Sequence, residues 1–176
     1  ELYYGKVRTR DMYRDSRIPI VYDENLYQLR LQACDGSAGL RLLFYGAHAE
    51  SLRGDNTLLS RDYPGRLCDN IHEAAGDDAM FFPGAIGGLI MTRLFVNDMP
   101  SGAVENMRVT GDKLAEYALS ISSKDERLLE PGIKQACRSF DVPLDNPVFL
   151  TYKLLGILNS KSVPGKSATG FCVQSE

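Results

Sequence analysis

Apolar and polar residues alternate one for one over Tyr27-Gln28-Leu29-Arg30-Leu31-Gln32-Ala33. That period of two predicts a strand with one wet face. Asp35-Gly36-Ser37-Ala38-Gly39 supplies a turn. Leu40 to Ala47 then reads Leu-Arg-Leu-Leu-Phe-Tyr-Gly-Ala. A short, nearly continuous apolar run between turn residues predicts a strand buried on both faces. The two segments predict a hairpin that feeds a central strand.

The period changes after the polar stretch 49–60. Leu67, Ile71, Ala74 and Ala75 recur at helical spacing. Ser60 or Asp62 can cap this helix, Pro64 sits in its first turn and Gly76 ends it. Ala79 to Phe82 predicts a second short buried strand, stopped by the glycine-rich turn Pro83 to Gly88. A long helix is expected over about 101–122, capped by Ser101, with Val104, Met107, Leu114, Ala118 and Ile121 along one face. Gly111 costs such a helix about 1 kcal/mol against alanine, so its presence predicts close packing there. Residues 132–142 read as a strand. Asn146-Pro147 starts a helix whose apolar residues, Val148 to Leu158, cover most of its circumference and predict burial in a larger body. Residues 160–166 read as a loop and 168–173 as a last strand. Residues 1–20 carry Arg8, Arg10, Arg14 and Arg17 and read as a short helix or irregular arm with a solvated basic face.

Strands alternating with helices place the chain in the α/β class, with mixed β-sheet layers and flanking helices. Its 176 residues suit one domain, 1–176. Hydrophobic residues make up 44% and charged residues 24%, the balance of a chain that buries a core. The net charge of −3, with no basic block, argues against a nucleic-acid partner. No apolar run is long enough for a transmembrane helix. The opening Glu1-Leu2-Tyr3-Tyr4 and the closing Phe171 to Glu176 read as a sheet domain incomplete at both ends. Cys34, Cys68, Cys137 and Cys172 are scattered and read as buried thiols rather than a disulfide framework. The compartment stays open.

Candidate chemistry gathers after the Leu40–Ala47 strand. Ligands in open α/β sheets bind beyond the carboxyl ends of strands. His48 stands there, followed by Glu50, Asp55 and Asp62, a set that can bind a divalent metal. A loop histidine bonded to a neighbour is the alternative. His48-Ala49-Glu50 matches half of the zinc-deaminase signature, but the Pro-Cys-x-x-Cys half is missing. Gly84, Gly87 and Gly88 form no phosphate-binding motif. They mark either a turn needing positive φ or backbone approaching a ligand. Gly-x-Ser-x-Gly is absent. Cys68 and His72 share a helix face, a poor arrangement for a catalytic pair.

The stretch Leu42-Leu43-Phe44-Tyr45-Gly46-Ala47-His48, with Asn56-Thr57-Leu58-Leu59-Ser60-Arg61-Asp62-Tyr63-Pro64-Gly65, resembles the neutral/alkaline ceramidase family, in its N-terminal catalytic domain. The resemblance spans about 20–175, and its specific part runs from His48 to Gly88. It implies that His48 is a zinc ligand. Asp62 matches the Asp of the family's loop, where it fixes the loop or caps the helix. The family's catalytic serine lies in a turn of form Asn-x-Gly-Asp-Val/Ile-Ser-Pro. Here Gly88 stands for the Asp and Ile90 for the serine. The other family ligands, a second His, a Glu and a Tyr, belong to segments before and after the part covered. The resemblance implies part of a zinc hydrolase acting on an amide or related bond of a small-molecule or lipid-like substrate, without the serine nucleophile. A non-catalytic binding module on the same scaffold is the alternative, and oligomer formation is open to either.

Overall fold

The computed structural model describes residues 1–53, 56–87, 90–96, 102–130, 132–137, 141–143, 146–157, 162–164 and 171–174; of 141–143, 162–164 and 171–174 it describes the backbone only. These residues divide into two compact units, Glu1–Pro131 and Gly132–Glu176.

The first unit is built on a sheet of β1 (Leu2–Arg8), β3 (Asn25–Leu31), β4 (Leu40–Tyr45), β5 (Asp78–Pro83) and β7 (Arg127–Leu128), in the order β5-β4-β3-β1-β7. β4 and β5 are parallel, and the other neighbours are antiparallel. A parallel pair needs a crossover, and α1 (Asp62–Ala75) supplies it. The expected mixed α/β architecture is therefore present. β2 (Tyr13–Asp15) and β6 (Ile90–Thr92) form a separate antiparallel pair, and α2 (Ala103–Ser120) packs on α1.

The expected arm over 1–20 is instead β1 and β2. Leu2, Tyr3, Tyr4 and Val7 are strand-favouring residues that pair along β3, and the arginines masked that pattern. The expected hairpin is β3–β4. β5, expected to be buried, is an edge strand with no fully buried residue. β4 is buried on the helix-facing side only, through Leu43 and Tyr45, while Leu42 and Phe44 are half-buried on the other.

The core lies between the sheet and the two helices. Leu26, Leu43 and Tyr45 meet Tyr63, Leu67 and Ile71 from α1 and Leu114, Ala115 and Ala118 from α2. Each large apolar side chain so buried contributes about 1.5–3 kcal/mol. The stripe of α1 is Tyr63, Leu67 and Ile71; Ala74 and Ala75 are exposed. Gly76 ends the helix with φ of 73°, in the left-handed region. In α2, Val104 faces solvent, whereas Asn106, Thr110 and Gly111 are buried. Small residues on that face admit a close helix neighbour. Ser101, its expected cap, lies outside the described residues. The thiols of Cys34 and Cys137 are exposed and Cys68 is half-buried, because two of the three sit in loops. The Cys172 side chain lies outside the described residues.

In the second unit, β8 (Asp141–Pro143), β9 (Ser162–Pro164) and β10 (Phe171–Gln174) form an antiparallel sheet in the order β8-β10-β9. β9 replaces part of the expected loop 160–166. Residues 132–137 are not strand; only β8 answers the expectation for 132–142. α3 (Pro147–Leu154) starts as expected: Asn146 accepts from the amides of Val148 and Phe149. None of its residues is buried, and Val148, Phe149 and Leu154 are exposed. The all-round apolar pattern lacks the cover that burial requires. Leu158, at the end of the expected helix, lies outside the described residues.

Gly111 tests the helix packing. A Cβ there would stand 2.6 Å from Arg66 Cβ and 3.0 Å from the Tyr63 carbonyl oxygen. Overpacking costs about 1–3 kcal/mol, against about 1 kcal/mol gained in helix propensity. Gly111→Ala is expected to lower the urea midpoint. Gly87→Ala, with open space around its Cβ, should leave it unchanged.

Candidate functional site

The strand ends of β4 and β5 meet at two glycines. A Cβ on Gly84 would lie 3.3 Å from both Cα and N of Gly46. The Gly84 amide donates to the Tyr45 carbonyl at 2.9 Å. This contact turns residues 84–87 back over the end of β4. Close backbone approach, rather than positive φ, explains Gly84. Gly87 has no positive φ and no neighbour within reach of a Cβ. Gly88 and Asp55 lie outside the described residues.

His48 sits between this turn and β6. Its amide donates to the Ile90 carbonyl at 2.9 Å, and its Nε2 lies 3.1 Å from the Ile86 carbonyl oxygen. A carbonyl only accepts, so Nε2 carries the hydrogen. In the neutral ring the lone pair then falls on Nδ1. Nδ1 faces Glu50 Oε1 at 3.6 Å. The His48 side chain is 26% exposed and that of Glu50 59%, so the pair opens to solvent. Glu50 also lines an open depression of about 750 Å³ with Leu52, Asn56, Ser60, Asp62 and Met91. That volume lies within the usual range for small-molecule sites.

The depression is held by polar tethers. Tyr63, buried against Tyr45 and Phe81, donates its hydroxyl to the Ala47 carbonyl at 2.8 Å. Burial raises the Tyr63 pKa, so the hydroxyl stays a donor. Ser51 and Thr92 hydroxyls meet at 3.2 Å. Asp62 has φ of 50°, a left-handed conformation that aspartate tolerates. Its Oδ1 accepts from Tyr63 N at 2.6 Å and its Oδ2 from Leu52 N at 3.0 Å. Ser60 Oγ accepts from Asp62 N at 2.9 Å. The N-cap position itself is held by Arg61, which makes no side-chain cap bond, rather than by Ser60 or Asp62 as expected; Ser60 and Asp62 instead accept from the Asp62 and Tyr63 amides, and Asp62 ties the loop to the helix.

The donor set can be tested against zinc. Donors on two corners of a tetrahedral zinc, each about 2.0–2.1 Å from the ion, stand about 3.3 Å apart. His48 Nδ1 and Glu50 are near that spacing. Among the described residues no group of three or more His, Cys, Asp or Glu is placed to hold a metal. A zinc site needs three or four protein ligands, so the described residues do not complete one. Each Asp62 oxygen accepts from a backbone amide, and among the described residues Asp62 does not combine with the pair into a group of three. Ile90 is 4% exposed and belongs to the core, where it offers no nucleophile. Cys68 and His72 offer no chemistry: burial raises the thiol pKa, and His72 lies exposed beside Asp78 at 3.5 Å.

Sequence reasoning missed Tyr63 and the Ile86 and Ile90 carbonyls. Tyr63 was legible, since it continues the Leu67–Ile71 stripe one turn back. Backbone carbonyls leave no signal in a sequence.

No family model and no curated protein matches this chain. Solved ceramidase structures do. One is the neutral ceramidase from Pseudomonas aeruginosa, at TM-score 0.61 and 19% identity over 73% of this chain and 24% of that one. The fold is ceramidase-like. Another, a ceramidase complexed with C2, has TM-score 0.60 and 20% identity over 73% of this chain and 23% of that one. The chain spans about a quarter of the length of either. Among the described residues no helix is long and apolar enough to cross a membrane.

Tyr63→Phe tests the support of His48. It leaves the Ala47 carbonyl buried without its donor, which costs about 1–3 kcal/mol. Urea unfolding should show that loss, and hydrogen exchange at the His48 amide should quicken. Unchanged exchange would mean that Tyr63 does not hold this segment.

Proposed function

We propose that this chain is part of a ceramidase-like zinc hydrolase, and that His48 gives one zinc ligand through Nδ1. The observation that carries the reading is the His48 bond to the Ile86 carbonyl. Metal-binding histidines commonly donate their other ring nitrogen in this way, which fixes both tautomer and ring orientation. The Nδ1 lone pair and the Glu50 carboxylate face each other as two acceptors. A cation between them, or a proton on Nδ1, relieves that opposition. The remaining ligands would come from beyond the described residues. Zinc, when bound, supplies Lewis acidity towards a carbonyl. The substrate class is a small or lipid-like molecule with an amide or related bond, taken up in the depression beside Glu50.

The residues of the chain have separable roles in this reading. His48 holds its ring still through Ile86 and its backbone through Ile90. Asp62 and Tyr63 position the loop. Ile90 gives no nucleophile, so the hydrolysis proposed here does not pass through an acyl-serine.

A binding module on the same scaffold is the second reading. It is favoured by Ile90, a core side chain at the place of the family nucleophile.

Elemental analysis of the purified full chain, alone and within any longer polypeptide that contains it, tests the proposal beside His48→Ala. Bound zinc that falls by more than about tenfold in the variant, as loss of one ligand predicts, supports it. An amide-hydrolysis assay should fall in parallel. Zinc absent from the longer polypeptide, or equal in it and its His48→Ala variant, contradicts the metal reading and leaves the binding module.

A further inference from the structure

We propose that Glu50 is the proton acceptor for the attacking water at this site. The role rests on the amide-hydrolase reading of the site. That reading has no serine nucleophile, so water attacks the carbonyl carbon. Water is a poor nucleophile unless a positioned group takes its proton as the new bond forms. The polar side chains that line the depression are not equally able to do so. Asn56 is turned onto its own loop: its Oδ1 accepts from Leu58 N at 3.3 Å and its Nδ2 donates to the Leu58 carbonyl at 2.7 Å. Ser60 Oγ accepts from Asp62 N. Asp62 accepts one backbone amide on each oxygen. Arg53 is a guanidinium, which has no acceptor. Glu50 differs: among the described residues no donor bonds its carboxylate. Its neighbour, His48 Nδ1, stands at 3.6 Å, too far for a hydrogen bond. Glu50 therefore keeps its lone pairs for a molecule in the depression that it lines.

The backbone under Glu50 is fixed while its carboxylate is not. On one side the His48 amide bonds the Ile90 carbonyl. On the other, Ser51 Oγ meets Thr92 Oγ1 at 3.2 Å, both residues being buried. Both ends of the segment 48–51 are thus stapled to β6. The Glu50 carbonyl accepts from Arg53 N at 3.2 Å. A carboxylate that ligates a metal is itself hydrogen-bonded, which holds it on the ion. Glu50 lacks that support and has the freedom of a proton carrier. His48, braced by the Ile86 carbonyl, has the support that a ligand needs.

The step balances on Glu50 alone. The water oxygen bonds to the carbonyl carbon as the Glu50 carboxylate takes one of its hydrogens, and the carbonyl electron pair moves onto oxygen. The protonated Glu50 then gives that hydrogen to the amide nitrogen. The electron pair returns, the C–N bond breaks, and a carboxylic acid and an amine leave. Glu50 is again a carboxylate.

Glu50→Gln, which keeps the size of the side chain and removes its basicity, tests this. The full chain, within any longer polypeptide that contains it, is assayed on N-acyl p-nitroanilides of short and long acyl chain, and its zinc is measured beside. Glu50→Gln should lower kcat by about 10²–10⁴-fold with zinc content unchanged. Glu50→Asp, which keeps a carboxylate, should retain more of the rate. A kcat indifferent to Glu50→Gln overturns the proposal. Zinc lost from Glu50→Gln also overturns it and makes Glu50 a ligand. Zinc indifferent to His48→Ala, with hydrolysis lost in Glu50→Gln, overturns the ligand reading of His48 and leaves the proton acceptor standing. A wild type that cleaves none of these amides overturns both.

Discussion

The backbone contact between Gly46 and Gly84 is the constraint on which the site depends. Two parallel strands normally splay once their ladder ends. Here the absence of two side chains lets the backbones stay together one residue longer. The chain after β5 is thereby folded back beside the chain after β4. Two carbonyls, Ile86 and Ile90, come to face His48 from either side of residues 88–89. The histidine is held by backbone rather than by a side-chain partner, so its orientation follows from strand pairing. Any substituent at Gly46 or Gly84 acts on the imidazole through that chain of contacts.

The helix-facing side of the sheet is not wholly apolar, and its polar part secures the ends of both helices. Arg41 pairs with Asp77 at 2.7 Å, and Asp77 also accepts from the Gly39 amide. That carboxylate joins the turn after α1 to the start of β4. Arg30 pairs with Glu126 at 2.6 Å, and Gln28 donates to the same carboxylate. That one joins the turn after α2 to β3. Gln28 accepts from Arg41 and so bridges the two pairs. Such buried pairs add little net stability over apolar packing but are costly to break singly. They specify where each helix returns to the sheet. The site thus rests on a crossover fixed at one end by Asp77 and at the other by Tyr63.

Much of this was legible in the sequence. The period of two in Tyr27–Ala33 and the apolar run Leu40–Ala47 marked the hairpin, and Gly76 marked the end of α1. Gly111 signalled close packing, and Arg66 and Tyr63 supply it. His48 stood out by its place beyond a strand. In residues 1–20 four arginines hide strand-forming residues whose partners lie farther along the chain. The burial of β4 was legible only as a property of the strand. Which side the helices cover depends on register, and a sequence does not print register. The bond from His48 to Ile86 was invisible for a simpler reason: every residue has a carbonyl, so composition cannot point to one.

The fold presents His48 with its hydrogen on Nε2 and its lone pair on Nδ1. Long-range ¹H–¹⁵N correlation spectra of the histidine ring, recorded where the ring is neutral, read the tautomer directly. With two histidines in the chain, His72→Gln makes the assignment unambiguous. A protonated Nε2 and a bare Nδ1 are the result this account predicts. A ring protonated on Nδ1, or one averaging freely between tautomers, would contradict it, because the Ile86 carbonyl would then hold no hydrogen from His48.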